Sequence, residues 1–149
     1  MRTLQWLLIA VWAVLVANAG AATPGERVAE AVLKACTEVR AERALREAAA
    51  QTAADRFVQG GTLWVAGSIP RFDIEWLGRA GGLMPVSVMK APGDVGATDV
   101  LVYGCLAGFA ASDAVLLRQV QERQGLVIAF GPAQLAETLR PLVSHYLAV

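Results

Sequence analysis

Short apolar runs alternate with mixed polar and apolar segments from residue 60 onward. The apolar runs lie at 62–66, 84–89, 99–104 and 126–130, and glycine closes three of them. Continuous apolar runs of about four to eight residues are typical of strands that are buried on both faces of a sheet. We therefore predict four strands at these positions. A last apolar run at 142–149 predicts either a fifth strand or a helix.

The segments between these runs have the spacing of short amphipathic helices. Residues 71–80 mix apolar side chains with charges and stop at two glycines, and 113–124 repeat the pattern after Ser112, a residue type that often caps helices. A further short helix is predicted at 133–140, before Pro141. Helices that alternate with fully apolar strands are typical of a parallel sheet covered on both faces.

The region before the first strand predicts helix alone. Thr23 and Glu26 have the spacing of a capping box, with Pro24 at the first helical position. Helical periodicity then continues to Val58 without an internal proline. We predict one long helix or two abutting ones.

The whole pattern predicts an α/β fold: a doubly wound, flavodoxin-like parallel sheet in a three-layer α/β/α arrangement, preceded by the N-terminal helical region. In the strand order 2-1-3-4-5, the crossovers from the first and third strands leave in opposite directions and open a crevice between their loops. Those loops are 67–70 and 104–112. Helix starts beside such a crevice favour an anion such as phosphate.

The first 22 residues have a different character. A nearly unbroken apolar run at 4–17 follows Arg2, and small residues occupy 17–21. These features are typical of a secretory signal peptide. We predict a signal peptide at 1–22 and an exported mature domain at 23–149, periplasmic or extracellular. The alternative is an uncleaved membrane anchor over 4–22, although the run is short for a bilayer span.

Composition narrows the possible functions. With 56% hydrophobic and 17% charged residues, the chain can bury the core of one domain. Its 13 basic and 13 acidic residues balance, and no basic cluster carries interleaved aromatics, so nucleic acid is not an expected partner. Cys36 and Cys105 could pair in an oxidising compartment or remain free as core residues.

Few side chains at the predicted crevice could bind or react. Ser68 either lines the crevice or caps the helix that follows it. Cys105 is either an activated thiol or a core residue, and Ser112 is a helix cap. Glu75 and Arg79 lie four residues apart, as in a helix-surface ion pair.

Motifs for metals and cofactors are missing from the sequence. The single histidine, His145, has no partners at metal-ligand spacing, and no dinucleotide or phosphate-loop motif occurs. We expect neither a metal nor a cofactor.

Several segments together resemble one family. The segment 60–67 (GGTLWVAG), then Glu75, then 79–83 (RAGGL) are similar to the sugar isomerase (SIS) phosphosugar-binding domain, in the subgroup whose first crossover carries a glutamate before RAGGL. The runs 99–102 (DVLV) and 127–129 (VIA) add to the similarity, which covers about residues 28–149.

The resemblance implies a five-stranded parallel sheet preceded by a long N-terminal helix. It also implies a usually dimeric domain that binds phosphorylated sugars between the loops after the first and third strands. It implies ligand contacts at Gly67, Ser68, Arg79, Cys105, Gly108 and Ser112, and a catalytic base at Glu75. Cys105, Leu106 and Ala107 stand where the family has hydroxyl side chains, and this predicts a degenerate phosphate site.

Three functions follow as expectations. The first is a non-catalytic sugar-binding or phosphosugar-binding domain, and the second is an aldose–ketose isomerase with Glu75 as base. The third is a structural or dimerisation domain without a ligand.

Overall fold

The chain divides into two units between Ala41 and Glu42. The computed structural model describes residues 23–68, 72–79, 86–105 and 108–149. The predicted signal peptide at 1–22 lies outside the described residues. No helix in the described ranges is both long enough and apolar enough to cross a membrane.

The first unit is described from residue 23 and holds one helix, α1 (Pro24–Ala41). The predicted capping box is confirmed: the Thr23 amide donates to Glu26 Oε2 at 2.6 Å, and the Glu26 amide donates to Thr23 Oγ1 at 3.2 Å. Both bonds satisfy amides that have no partner within the helix. A second helix, α2 (Arg43–Val58), starts after a turn at Glu42, so the N-terminal helical region consists of two helices.

The second unit is an α/β fold built on five parallel strands. The strands are β1 (Leu63–Gly67), β2 (Val86–Val88), β3 (Val100–Gly104), β4 (Leu126–Gly131) and β5 (His145–Ala148). Their order in the sheet is β2-β1-β3-β4-β5, and every neighbouring pair is parallel. The predicted doubly wound, flavodoxin-like fold is confirmed. The last apolar run forms the fifth strand.

Helices connect the strands close to the predicted positions. They are α3 (Phe72–Arg79), α4 (Ala111–Glu122) and α5 (Ala136–Leu139). Single 3₁₀ turns at Pro92–Asp94, Ala133–Leu135 and Arg140–Leu142 complete the connections. The prediction that Ser112 caps a helix beginning at Asp113 is wrong, because α4 begins at Ala111 and Ser112 lies inside its first turn.

Each face of the sheet carries its own apolar layer. On one face, side chains such as Leu101, Tyr103 and Val127 pack with Leu117 and Val120 of α4. On the other face, side chains such as Val65, Val102 and Ile128 pack against α2 and α3. Strands with both faces covered need an apolar residue at nearly every position, which explains their continuous runs in the sequence.

Asp99 links the amino-terminal ends of β1 and β3 through hydrogen bonds. Its carboxylate accepts hydrogen bonds from the Thr62 amide at 2.7 Å, the Gly96 amide at 2.7 Å and Trp64 Nε1 at 3.1 Å. These bonds align the start of β1 with the start of β3. The polar residue that opens the third apolar run is therefore structural.

Candidate functional site

The carboxyl ends of β1 and β3 lie side by side. Gly67 and Gly104 are register partners, and the Ser68 amide continues the ladder by donating to the Gly104 carbonyl at 2.9 Å. The two loops predicted to flank a crevice therefore start next to each other. In doubly wound folds this edge is where ligands bind.

One backbone carbonyl joins the two loops. The Gly108 oxygen accepts from Ser68 Oγ at 3.1 Å and from Cys105 Sγ at 2.9 Å. Gly108 has φ +145°, a backbone conformation that glycine adopts without strain. This network brings together the predicted site residues Ser68, Cys105 and Gly108.

Tyr103 adds a buried hydroxyl next to this network. The side chain is fully buried, and its hydroxyl makes no hydrogen bond of good geometry. Desolvation raises the pKa of Tyr103 well above its usual 10.0, and the nearby Asp113 carboxylate raises it further, whereas Ser68 acts in the opposite direction. The phenol therefore stays protonated.

Sequence reasoning missed Tyr103 and Asp113. The one available signal was the hydroxyl of Tyr103. It is the only polar side-chain group in an otherwise aliphatic strand, and it lies one position before the strand's final glycine. Asp113 lies one turn into α4, and no pattern in the sequence pairs it with a strand residue ten positions earlier.

The N-terminus of α4 already carries a carboxylate. Asp113 Oδ2 accepts a hydrogen bond from the Ala110 amide at 3.0 Å, and the Asp113 amide donates to the Ala110 carbonyl at 3.0 Å. Asp113 therefore supplies the negative charge that a bound phosphate would otherwise bring to this helix start. Repulsion between Asp113 and an incoming anion disfavours phosphate at this place.

The glycines that end the two strands have a packing role. A Cβ at Gly67 would lie 2.3 Å from the Gly104 carbonyl oxygen, and a Cβ at Gly104 would lie 2.6 Å from the Phe72 ring. Strand and helix approach too closely here for any side chain. Packing therefore explains why glycine occupies positions 67 and 104, whether or not a ligand binds.

The remaining predicted site residues lie on helices. Glu75 is an exposed residue in the first turn of α3, and Ser112 is an exposed residue in the first turn of α4. Arg79 is the last residue of α3, and its side chain lies outside the described part of the structure. Most of the RAGGL segment and the loop positions 69–71 and 106–107 are also outside it.

The cysteines and the histidine do not form a reactive cluster. Both cysteines are free; Cys36 is exposed, and Cys105 is buried with its thiol bonded to Gly108. Across the described ranges, no group of three His, Cys, Asp or Glu residues is placed to hold a metal ion. His145 opens β5, away from the ends of β1 and β3.

Comparison with known proteins adds no family to this picture. No protein-family model and no curated protein match the sequence of the chain. A doubly wound fold hosts many unrelated functions. Functional inference therefore depends on the chemistry of the site.

Proposed function

We propose that the protein is a non-catalytic sugar-binding domain whose ligand occupies the crevice between the loops after β1 and β3. The observation that carries this proposal is the Gly108 carbonyl, which accepts from Ser68 on one loop and Cys105 on the other. That network holds both loops at the edge where this fold binds small molecules. The similarity to SIS domains and the signal-like segment at 1–22 support an exported protein of this type.

The chemistry of the crevice suits an uncharged, hydroxyl-rich ligand better than a phosphate. Ser68 supplies a hydroxyl that can donate or accept, and Asp113 supplies a carboxylate that can accept from a sugar hydroxyl. The same carboxylate repels a phosphate and occupies the helix start that would bind one. We therefore favour a neutral sugar over its phosphate ester.

The burial and hydrogen bonding of the groups near the crevice favour binding without catalysis. The Cys105 thiol is buried and already bonded, and the raised pKa of Tyr103 keeps its phenol protonated. A proton-transfer mechanism needs a group that is free to exchange a proton near neutral pH.

Calorimetry and thermal unfolding with the 23–149 chain test the proposal. Glucose and N-acetylglucosamine serve as neutral probes, and glucose 6-phosphate is the charged comparison. We expect saturable binding of at least one neutral probe, with weaker binding of the phosphate ester. A ligand at about 100 times its Kd should stabilise the fold by about 2.7 kcal/mol.

Two variants locate the binding. Ser68→Ala should lower the affinity roughly tenfold, because a hydrogen bond to the ligand and the link to Gly108 are both lost. Thr37→Ala removes a hydroxyl from exposed α1 and should leave binding unchanged. Equal affinity of the Ser68→Ala protein would contradict the proposed site, and tighter binding of glucose 6-phosphate would contradict the role given to Asp113.

A further inference from the structure

A cavity lies on the opposite side of the same unit from α4. It has a volume of about 420 Å³ and lies between α2, Trp76 of α3 and the sheet. Its floor comes from β1, β3, β4 and β5, and α2 contributes one wall. The volume falls within the range of about 300–1,000 Å³ that is typical of small-molecule sites.

The lining of this cavity is almost wholly apolar. The described lining residues are alanine, valine, leucine, isoleucine and aromatics, and Arg46 is the one charged residue among them. Trp76 stacks at a tilt against Phe130, with ring centroids 6.5 Å apart, and this pair forms part of the lining. Contact with an apolar chain would remove this apolar surface from water, which is favourable. The lining has few groups that could form hydrogen bonds with a sugar.

Arg46 supplies an unused donor at this lining. Its Nη2 donates to the Ala148 carbonyl at 2.8 Å and to Glu42 Oε2 at 3.4 Å. Its Nε is buried and has no hydrogen-bond partner. Guanidinium groups have five donors, and a buried donor without an acceptor is costly. The Arg46 side chain as a whole is 25% exposed and belongs to the lining, so its guanidinium can pair with a carboxylate at the cavity.

We propose that this cavity binds a single-chain amphiphile with an acidic head group, such as a medium-chain fatty acid. The acyl chain lies along the apolar floor, and the carboxylate pairs with the Arg46 guanidinium. The long contact between Arg46 and Glu42 is the weaker of the two existing bonds, so the ligand carboxylate competes with Glu42 for the guanidinium. This site is separate from the crevice proposed to bind sugar, which lies at the carboxyl edge of the strands.

The experiment uses dodecanoate below its critical micelle concentration, with calorimetry and tryptophan fluorescence as readouts. We expect one molecule to bind per chain and to change the emission of Trp76. Ala53→Leu fills the cavity with an apolar side chain and should abolish binding. Ala48→Leu, an exposed change on the same helix outside the lining, is the matched control and should bind normally.

Head-group variants test the part played by Arg46. Arg46→Met should weaken dodecanoate binding about tenfold or more and leave dodecanol binding nearly unchanged, because only the carboxylate needs a charged donor. Glu42→Gln should tighten dodecanoate binding, since the competing carboxylate is gone. Ser68→Ala should bind dodecanoate as the unmodified chain does.

Three outcomes would overturn the proposal. The first is a folded protein that does not bind dodecanoate, and the second is equal binding by the Ala53→Leu and Ala48→Leu variants. The third is a dimer in sedimentation analysis that Ala53→Leu dissociates, because a second copy of the chain would then be the occupant of the cavity.

Discussion

Asp99 shows how one side chain can decide the alignment of two strands. Burial alone would raise the pKa of its carboxyl, but the bonds from the Thr62 amide, the Gly96 amide and Trp64 Nε1 outweigh burial, and the pKa is lowered from its usual 3.8. Hydrogen bonds to an ionised carboxylate are stronger than bonds between neutral groups. The contact spans 37 residues and joins the starts of β1 and β3.

Asp99→Asn should destabilise the protein by about 1–3 kcal/mol. The NH₂ group of asparagine would take the place of a carboxylate oxygen that now accepts, so two donors would face each other. Urea unfolding at neutral pH measures the change. Asp55→Asn, at an exposed position of α2, is the control and should stay within about 0.5 kcal/mol of the unmodified protein. Equal midpoints for the two variants would contradict the structural role of Asp99.

The lowered pKa also predicts how stability depends on pH. Because the carboxyl pKa is lower in the folded state, its contribution is complete above the unfolded-state pKa and is lost as the pH falls through the folded value. The free energy of unfolding should therefore fall below about pH 4, and the fall should be shallower in Asp99→Asn. Urea titrations between neutral pH and about pH 2 measure both slopes. Parallel curves for the two proteins would contradict the assignment.

At the scale of elements, the strands end where they do because of their neighbours. Gly67 lies against the backbone of Gly104, and Gly104 lies against the ring of Phe72 at the start of α3. The first contact is with backbone, which cannot rotate away as a side chain can. Glycine at these strand ends therefore allows β1, β3 and α3 to meet.

Gly67→Ala should destabilise the protein by about 1–3 kcal/mol, the usual range for overpacking. Gly93→Ala is the matched control, because a Cβ there would have only an ordinary contact, 3.6 Å from the Arg123 guanidinium. Thermal unfolding without ligand measures both. A Gly67→Ala protein as stable as Gly93→Ala would show that the close approach is relieved by a small backbone shift.

At the scale of the whole molecule, both apolar layers of the sheet come from one unit. Every residue of the two core clusters lies between Glu42 and Val149, and α1 buries none of its residues. Cooperative folding depends on a contiguous core rather than on chain length.

A chain that starts at Glu42 should therefore keep the fold of the sheet. We expect a cooperative thermal transition and near-ultraviolet circular dichroism like that of the 23–149 chain. Glu42 is retained because it bonds to Arg46. A chain without a cooperative transition would mean that residues before Glu42 are needed for the core.

Local sequence determined the elements and, through their alternation, the fold. The capping box of α1 depends on residues three apart, and each buried strand needs an unbroken apolar run, so both leave a signal in neighbouring positions. The alternation of strands and helices predicted a parallel sheet, because a parallel pair needs a crossover, and the structure shows the strand order 2-1-3-4-5. The last run stayed ambiguous, since a short apolar segment has no distinguishing period.

Only the tertiary structure decided which side chains meet. Tyr103 of β3 and Asp113 of α4 come close together, and Arg46 reaches the Ala148 carbonyl across 102 residues of sequence. Such contacts depend on how layers stack, and a small change in the position of a helix changes its neighbours without changing the pattern along the chain. For this reason the sequence located the edge of the sheet where the loops after β1 and β3 start side by side, and packing determined which polar groups lie near those loops and where the apolar cavity opens.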